Sequence, residues 1–462
     1  MDMVRRRKIA PRRIEALLLL FVFAVVTLGF VLVSAGLQVR QEQNPLLALP
    51  AALVFPLIFV VAFTSVHALL KLRRIEMEQL LLPLMALLCA LGLVMIYRLM
   101  GGGGVWQQLM RGLLPGLVVV ATLIIRPHWV ERMRRLAVPV SVIGLLLSFA
   151  TAFFGVVDET GARLALKLGP LPALQTSEIL KVALIIFLAW YIEREGKEAE
   201  GRAHAIGWLR LPAPRYFIPG GLFVAMGTLA LVQMSDFGAV LILGVIFIGM
   251  LYAGFETRIF ATIALIGVGF ALLAGLVVGI AWEVPTLIRF RFLAFLDPWS
   301  EAMLTINGEP TGITVAQGPG YQIQQAIYAL IAGGLTGTGL GFGTPEYIPL
   351  AHSDFIFAAM LEEMGVVIGI AILIVFVILL LRLLRLAAIL PPEQTFERLL
   401  LTGISIHLFT QLFIMVGGTI NLIPVTGVTI PFLSLGGMAM LINVTEIGIA
   451  LALVRRLEAL SQ

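Results

Sequence analysis

The residues best suited to chemistry lie between about Trp282 and Gly365, the one long polar interruption in the second half of an otherwise apolar chain. This stretch holds Arg289, Arg291 and Asp297, then a glycine-rich run from Gly318 to Gly343. It continues into His352-Ser353-Asp354-Phe355-Ile356-Phe357, with Glu362 and Glu363 shortly after. A carboxylate at the mouth of an apolar run is the right kind of group for general-base work. Asp354 is the candidate. Its immediate sequence leaves a second account equally open, because Asp also favours the N-cap of a helix. Arg289 and Arg291 are cations in the same stretch and could stabilise an anionic leaving group.

Other polar residues stand where they are costly. Glu178 and Lys181 are three apart in an apolar run, so they share one helix face. They could neutralise each other as an ion pair, or wall a polar cavity near a lipid headgroup. The two accounts are compatible. Gln233 to Gly238 joins two apolar runs in almost no space. Asp236 and Gly238 suit a tight turn for backbone reasons, and the alternative places Asp236 on the same cavity. The five histidines (His67, His128, His204, His352 and His407) are never four apart, and no Cys/His cluster accompanies them. Zinc is therefore not expected, and a lone histidine such as His407 is expected to be a satisfied packing residue. The glycines of 332–343 lack the Gly-Lys-Ser/Thr ending of a phosphate loop. Close helix packing or a flexible turn explains them better.

The elements that must hold these groups are membrane helices. Of the 462 residues 60% are hydrophobic and 13% charged, and the mean hydropathy is +1.03. A soluble domain could not cover so much apolar surface. The net charge of +5 is accounted for by loop charges rather than by nucleic acid. The single cysteine, Cys89, allows no intrachain disulfide. Basic residues from Arg5 to Arg13 precede an apolar run, 16–35, that is too long for a signal-peptide core, so it is expected to be a retained first helix.

Crossing ~30 Å of hydrocarbon takes about 20 helical residues. Twelve stretches qualify: 14–36, 46–70, 79–98, 105–125, 136–155, 175–192, 216–234, 236–253, 257–281, 357–381, 397–417 and 435–454. With the N-terminus inside, 24 Lys and Arg fall in inner segments and 7 in outer ones. That asymmetry predicts both termini in the cytoplasm and the segment 282–356 outside. The expected fold is an all-α polytopic membrane protein. It divides into an N-terminal basic segment with two helices, 1–76, and a membrane core, 77–462.

Set in order, the motifs resemble the SEDS proteins (shape, elongation, division and sporulation), the RodA/FtsW group, from about residue 85 to 455. Gly161-Ala162-Arg163 and Gln175-Thr176-Ser177-Glu178…Lys181 are similar to the family's Gly-Ala and Gln-Pro-Ser-Glu…Lys elements. Ser235-Asp236-Phe237-Gly238 resembles its Pro-Asp-Leu-Gly. Arg289-Phe290-Arg291, Phe295-Leu296-Asp297-Pro298 and Tyr321-Gln322…Gln325 also fit. So do His352 to Phe357 with Glu362-Glu363…Gly365, and Pro424-Val425-Thr426-Gly427…Pro431-Phe432…Ser434…Gly436-Gly437. The chain departs from the family pattern at Ala165, Thr176, Ala326, Thr338, Leu350 and Met438. The departures spare Glu178, Lys181, Asp236 and Asp354.

The resemblance implies a peptidoglycan glycosyltransferase that polymerises lipid II outside the cytoplasmic membrane, with Asp354 as general base. It implies substrate contacts from Glu178, Lys181, Asp236, Arg289, Arg291, Gln322, Gln325, His352, Ser353 and Ser434. A divalent cation, Mg2+ or Mn2+, could assist the leaving pyrophosphate, although the sequence holds no ligand cluster for one. The implied partners are membrane lipids, lipid II and a single-pass class B penicillin-binding protein that supplies transpeptidation. Two other classes compete: a lipid II flippase gated by 282–356, and a scaffold that only recruits a transpeptidase. The scaffold leaves the Asp354 motif without a task. A glycosyltransferase using acids of its first outer loop is disfavoured, since Leu37 to Asn44 offers only Glu42.

Overall fold

The computed structural model describes residues 12–42, 44, 49–157, 163–167, 169, 173–201, 204–206, 209–211, 218–254, 286–306 and 309–461. The expected ninth span, 257–281, and Gly161-Ala162 lie outside these residues. The helices are α1 (Arg13–Arg40), α2 (Leu49–Leu72), α3 (Leu81–Gln108), α4 (Leu114–Ile125), α5 (Trp129–Arg135), α6 (Ala137–Phe154) and α7 (Thr176–Gly201). They continue as α8 (Ile218–Gln233), α9 (Phe237–Gly254), α10 (Thr286–Leu296), α11 (Pro319–Gly333), α12 (Ile356–Ile389), α13 (Thr395–Thr419) and α14 (Gly437–Ser461). Two small antiparallel hairpins complete the described elements: β1 (His204–Ile206) with β2 (Leu209–Leu211), and β3 (Met303–Ile306) with β4 (Glu309–Thr314). The expected loop 282–356 is thus itself built, from α10, the second hairpin and α11.

Eight helical stretches among the described residues are long and apolar enough to cross a membrane. One of them, Leu81–Ile125, runs 45 residues. At 1.5 Å per residue that is roughly twice the hydrocarbon thickness. It is broken at Gly101, whose φ of 63° and ψ of −161° fit no helix, and the break divides the two stretches expected there. Burial separates centre from periphery. In α13 and α14, 72% of the spanning window is buried inside the protein, against 33% for α1 and 28% for α2. The exposed Leu17, Leu20, Phe21 and Leu28 of α1 give that helix an apolar outer face suited to lipid.

The break that matters most for the site is in α12. The sequence predicts one straight span over 357–381. Instead Gly365 has φ 81° and ψ 167°, so a short piece, 356–364, is set at an angle to a long one, 366–389. A broken helix leaves carbonyls on one side and amides on the other without partners. The glycine-rich segment supplies both. Thr338 N–H and Gly339 N–H donate to the carbonyls of Glu362 (2.9 Å) and Glu363 (3.0 Å). Val366 N–H and Val367 N–H donate to the carbonyls of Gly334 (3.0 Å) and Leu335 (3.2 Å). Such closeness excludes side chains. A Cβ on Gly337 would collide with the Glu363 carbonyl, and one on Gly365 with the backbone of Leu335 and Gly337. The glycines therefore serve close packing, as expected.

Side chains clamp the same joint. The Glu363 carboxylate accepts from Arg98 Nε at 2.7 Å and from Gly341 N–H at 3.0 Å. The Glu362 carboxylate accepts from Thr344 N–H at 2.7 Å. Arg98 also donates to the Gly343 carbonyl at 2.9 Å, and Arg40, at the end of α1, donates to that carbonyl at 2.8 Å. Gly36 of α1 lies against Gly341. The first helix thus packs directly on the loop that caps the break. Replacing Gly365 with Val combines a disfavoured backbone region with a backbone collision. A loss of about 2–4 kcal/mol is expected, read as a lowered melting temperature of purified protein in detergent.

Candidate active site

The short piece of α12 presents the Asp354 turn. Residues 351–355 form the turn, and the N-cap is Phe355, with no side-chain cap hydrogen bond. Asp354 is therefore not the cap of this helix, and the cap account of its presence fails. The turn is tied to the segment ahead of α14. Ser434 Oγ donates to the Ser353 carbonyl at 2.7 Å and accepts from Ile430 N–H at 2.9 Å. Leu435 N–H donates to the His352 carbonyl at 2.9 Å. Gln108 braces that segment from α3, donating to the Ser434 carbonyl at 2.9 Å and accepting from Gly436 N–H at 3.0 Å.

Around the Asp354 carboxylate stand groups from four parts of the chain. Gly427, with φ of 76°, is close enough that an added Cβ would lie 3.5 Å from Asp354 Oδ2 and 3.9 Å from Arg291 Nη2. Arg291 Nη1 donates to the Thr426 carbonyl at 3.2 Å, which holds the guanidinium beside Asp354. Burial pushes the Asp354 carboxyl up to about 6, with the Ser353 hydroxyl and Arg291 acting against the rise and Asp236 adding to it. Burial likewise raises Asp236, against the Ala239 N–H, Lys181 and the Ser177 hydroxyl. That N–H donates to Asp236 Oδ1 at 3.0 Å, so the residue does serve its turn as well. Burial lowers His352.

Behind Asp236 lies the Glu178–Lys181 pair. Lys181 Nζ is 2.8 Å from Glu178 Oε2, and both side chains are almost wholly buried. The expected ion pair exists, and its ammonium also acts on Asp236. A line of charged groups results, with two carboxylates side by side near its middle: Arg291, Asp354, Asp236, Lys181, Glu178. Local sequence explains how it is assembled. Glu178 and Lys181 ride the first turns of α7, Asp236 the tight α8–α9 turn, Arg291 the helix α10, and Asp354 the turn before α12.

Not every expected residue joins it. Arg289 is exposed, and no contact among the described residues brings it to Asp354. Of the two arginines, Arg291 is the one that stands beside Asp354. Gln322 is half-buried on α11. Gln325 lines a small cleft of about 90 Å³ with Tyr328, Thr344, Tyr347 and Glu362, none of which belongs to the charge line. His407 is fully buried, as a packing residue would be, and its Nδ1 lies 2.7 Å from Glu446 Oε1. Sequence reasoning passed over Glu446, Gln108 and Arg98. Glu446 had a signal, being an acid inside an apolar span.

The described helices bury paired charges beside an apolar outer surface, under a turn carrying one shielded carboxylate, as befits a membrane-embedded protein. The chain is a member of the cell cycle protein family of FtsW, RodA and SpoVE, whose model matches residues 78–459. It is 32% identical over 447 residues to the peptidoglycan glycosyltransferase RodA of Mycobacterium tuberculosis, covering 94% of this chain and 88% of that protein. It is 31% identical over 313 residues to the probable peptidoglycan glycosyltransferase FtsW of Nitrosococcus halophilus, covering 67% and 72%. Among solved structures it is similar to a chain from a peptidoglycan synthase complex that coordinates polymerization and crosslinking, with TM-score 0.63, 26% identity, and 81% and 96% of the two chains covered. It is also similar to a mutant of the rod shape determining protein RodA of Thermus thermophilus, with TM-score 0.54, 25% identity and the same coverage. The chain is thus a multi-pass, all-α protein of the bacterial cytoplasmic membrane.

The brace at Ser434 is testable. Ser434→Ala strands the Ile430 amide and the Ser353 carbonyl, and a loss of about 1–3 kcal/mol is expected. A lowered melting temperature of purified protein checks it.

Proposed function

We infer that this protein is a peptidoglycan glycosyltransferase, and we propose that it polymerises lipid II with Asp354 as its general base. Family membership and the named relatives support the activity. The observation that carries the residue assignment is the Asp354 turn: a shielded carboxylate, not used as a helix cap, held between Arg291 and the Asp236–Lys181–Glu178 line.

The chemistry follows from that setting. A sugar hydroxyl of the acceptor loses its proton to Asp354 as its oxygen bonds to the anomeric carbon of the donor. The bond from that carbon to polyprenyl pyrophosphate breaks, and the leaving group carries the electron pair away. Arg291 is the nearest cation to the developing charge. Lys181 lies deeper and is already matched by Glu178, and it opposes the rise that burial imposes on Asp236. Asp354 and Asp236 each stand beside a cation, Arg291 and Lys181, and among the described residues no group of three or more acids, histidines or cysteines is placed to hold Mg2+ or Mn2+. A divalent ion bound by the pyrophosphate would arrive with the substrate.

The proposed topology has twelve crossings with both termini in the cytoplasm, which places the Asp354 turn on the outer side. A single-pass class B penicillin-binding protein is the proposed partner. The similarity to a chain from a peptidoglycan synthase complex supports it.

Lipid II polymerisation by the purified protein with its cognate partner tests the proposal. Asp354→Asn is expected to lower the rate by about 10²–10⁴-fold while the melting temperature holds. Equal chains from both proteins would remove Asp354 from the mechanism. The pH profile gives a second check. A base must be deprotonated to act, so activity should fall about tenfold per pH unit below about 6. Arg291→Gln removes a group that favours the carboxylate, and it should move that limb to higher pH.

A further inference from the structure

Gln325 stands apart from the charge line, in a cleft of about 90 Å³. α11 supplies one wall, where Gln325, Tyr328 and Ala329 share a helix face by their spacing. Thr344, Tyr347 and Ile348 supply the other, and Glu362 closes the cleft from the short piece of α12. The floor is apolar, because Ala329 and Ile348 are each only 4% exposed. The rim is polar and not fully used. Glu362 Oε1 accepts from Thr344 N–H at 2.7 Å and from its hydroxyl at 3.2 Å, and no described group bonds the second oxygen. The half-buried Gln325 amide has no hydrogen-bond partner among the described residues. Aromatic rings flank the opening. Tyr328 and Tyr347 are 47% and 64% exposed. Trp299, also exposed, donates from Nε1 to the Tyr328 hydroxyl at 3.1 Å and so restrains that ring.

Each part of this lining has a counterpart in an acetamido sugar. The Gln325 amide carries both a donor and an acceptor, so it pairs with an amide of the ligand. The open oxygen of Glu362 accepts a ligand N–H. The acetyl methyl covers Ala329 and Ile348. The electron-rich faces of the two tyrosines attract the C–H edge of a pyranose, as they attract the positive edge of another ring. Other ligands leave part of the lining unmet. A phosphate is repelled by Glu362. An ammonium suits Glu362 but neither Gln325 nor the apolar floor. A sugar without the acetyl group leaves that floor uncovered. Position supports the same ligand. Glu362 lies six residues beyond Ile356 on the helix that follows the Asp354 turn, roughly 9 Å by helical rise. In the proposed topology this side faces outward. Both sugars of the peptidoglycan repeat carry an acetamido group, so a strand held near Asp354 presents such groups at every addition.

We propose that the cleft of Gln325, Tyr328, Tyr347 and Glu362 binds an acetamido sugar of the glycan strand, away from the reacting bond, and so keeps the strand on the protein between additions. The strand's identity rests on the polymerase function proposed above; the acetamido preference rests on the cleft.

Saturation-transfer NMR on the full-length protein, in a detergent without a sugar headgroup, tests that preference. The probes are the β-1,4-linked tetramers of N-acetylglucosamine, glucosamine and glucose. The acetylated tetramer is expected to bind with its acetyl methyl the most strongly saturated group, and the other two about tenfold more weakly. Gln325→Leu should weaken the acetylated tetramer by about tenfold. Tyr328→Ala should do the same, and its exposed position keeps the test available if the first variant does not fold. Equal binding of the three probes, tighter binding of the glucosamine tetramer, or undiminished binding by both variants overturns the proposal. Lipid II polymerisation gives a second readout. At equal lipid II consumed, both variants should yield shorter chains than the wild type, and chains of wild-type length would overturn the holding role. A wild type that binds the acetylated tetramer but makes no chains removes the polymerase function and keeps the acetamido-sugar site, so the two failures are told apart.

Discussion

A helix interrupted inside an apolar bundle exposes amides and carbonyls that water cannot reach, and each one left unpaired costs several kcal/mol. The break at Gly365 is tolerable here only because 334–339 lies against it and returns four backbone hydrogen bonds. That one constraint explains features that look unrelated in the sequence. It requires glycine where the two backbones touch. It requires acids at Glu362 and Glu363, because the loop turns its own amides toward them. It requires a cation such as Arg98 to match Glu363. The consequence for function is geometric: residues 356–364 are freed from the direction of the long piece, and the turn before them can reach Arg291 and Asp236.

How much of this was legible beforehand depended on range. Apolar runs of membrane length are local, and the expected spans coincide with helices wherever the structure describes them. The Glu178–Lys181 pair was legible because three residues of helix fix both ends. Asp354 was singled out by motif, but its neighbours were not readable as neighbours. Gly427 and Ser434 are more than seventy residues away, Arg291 more than sixty and Asp236 more than a hundred. The break in α12 was missed because its cause is not in α12: nothing in a run of apolar residues after Gly365 says that a loop thirty residues earlier caps a kink. Arg289 and Arg291 show the reverse error. Two cations in one tripeptide looked equivalent, yet on a helix two positions separate side chains by about 200°, and only Arg291 meets Asp354.

The two helices ahead of the matched family region fit the same logic. Region 78–459 carries every residue of the charge line. α1 nevertheless reaches the joint, through Gly36 against Gly341 and Arg40 on the Gly343 carbonyl. At the other end of the pair, His67 of α2 sits 2.5 Å from the buried Glu15 of α1, which Arg12 also contacts. The two helices are therefore joined to each other near Glu15, and α1 also touches the loop that caps the break in α12.

Two groups of buried charge now stand in one bundle, and they differ in what their surroundings ask of them. Asp354 is shielded yet bordered by a cation, a hydroxyl and a second carboxylate, and its carboxyl is held near 6. A group so poised exchanges its proton readily at ordinary pH, which a base must do in every turnover. Glu446 has a fixed imidazole partner, unmatched oxygens around it and no described path to solvent. Lys181 lies between them and acts on both Asp236 and Glu446.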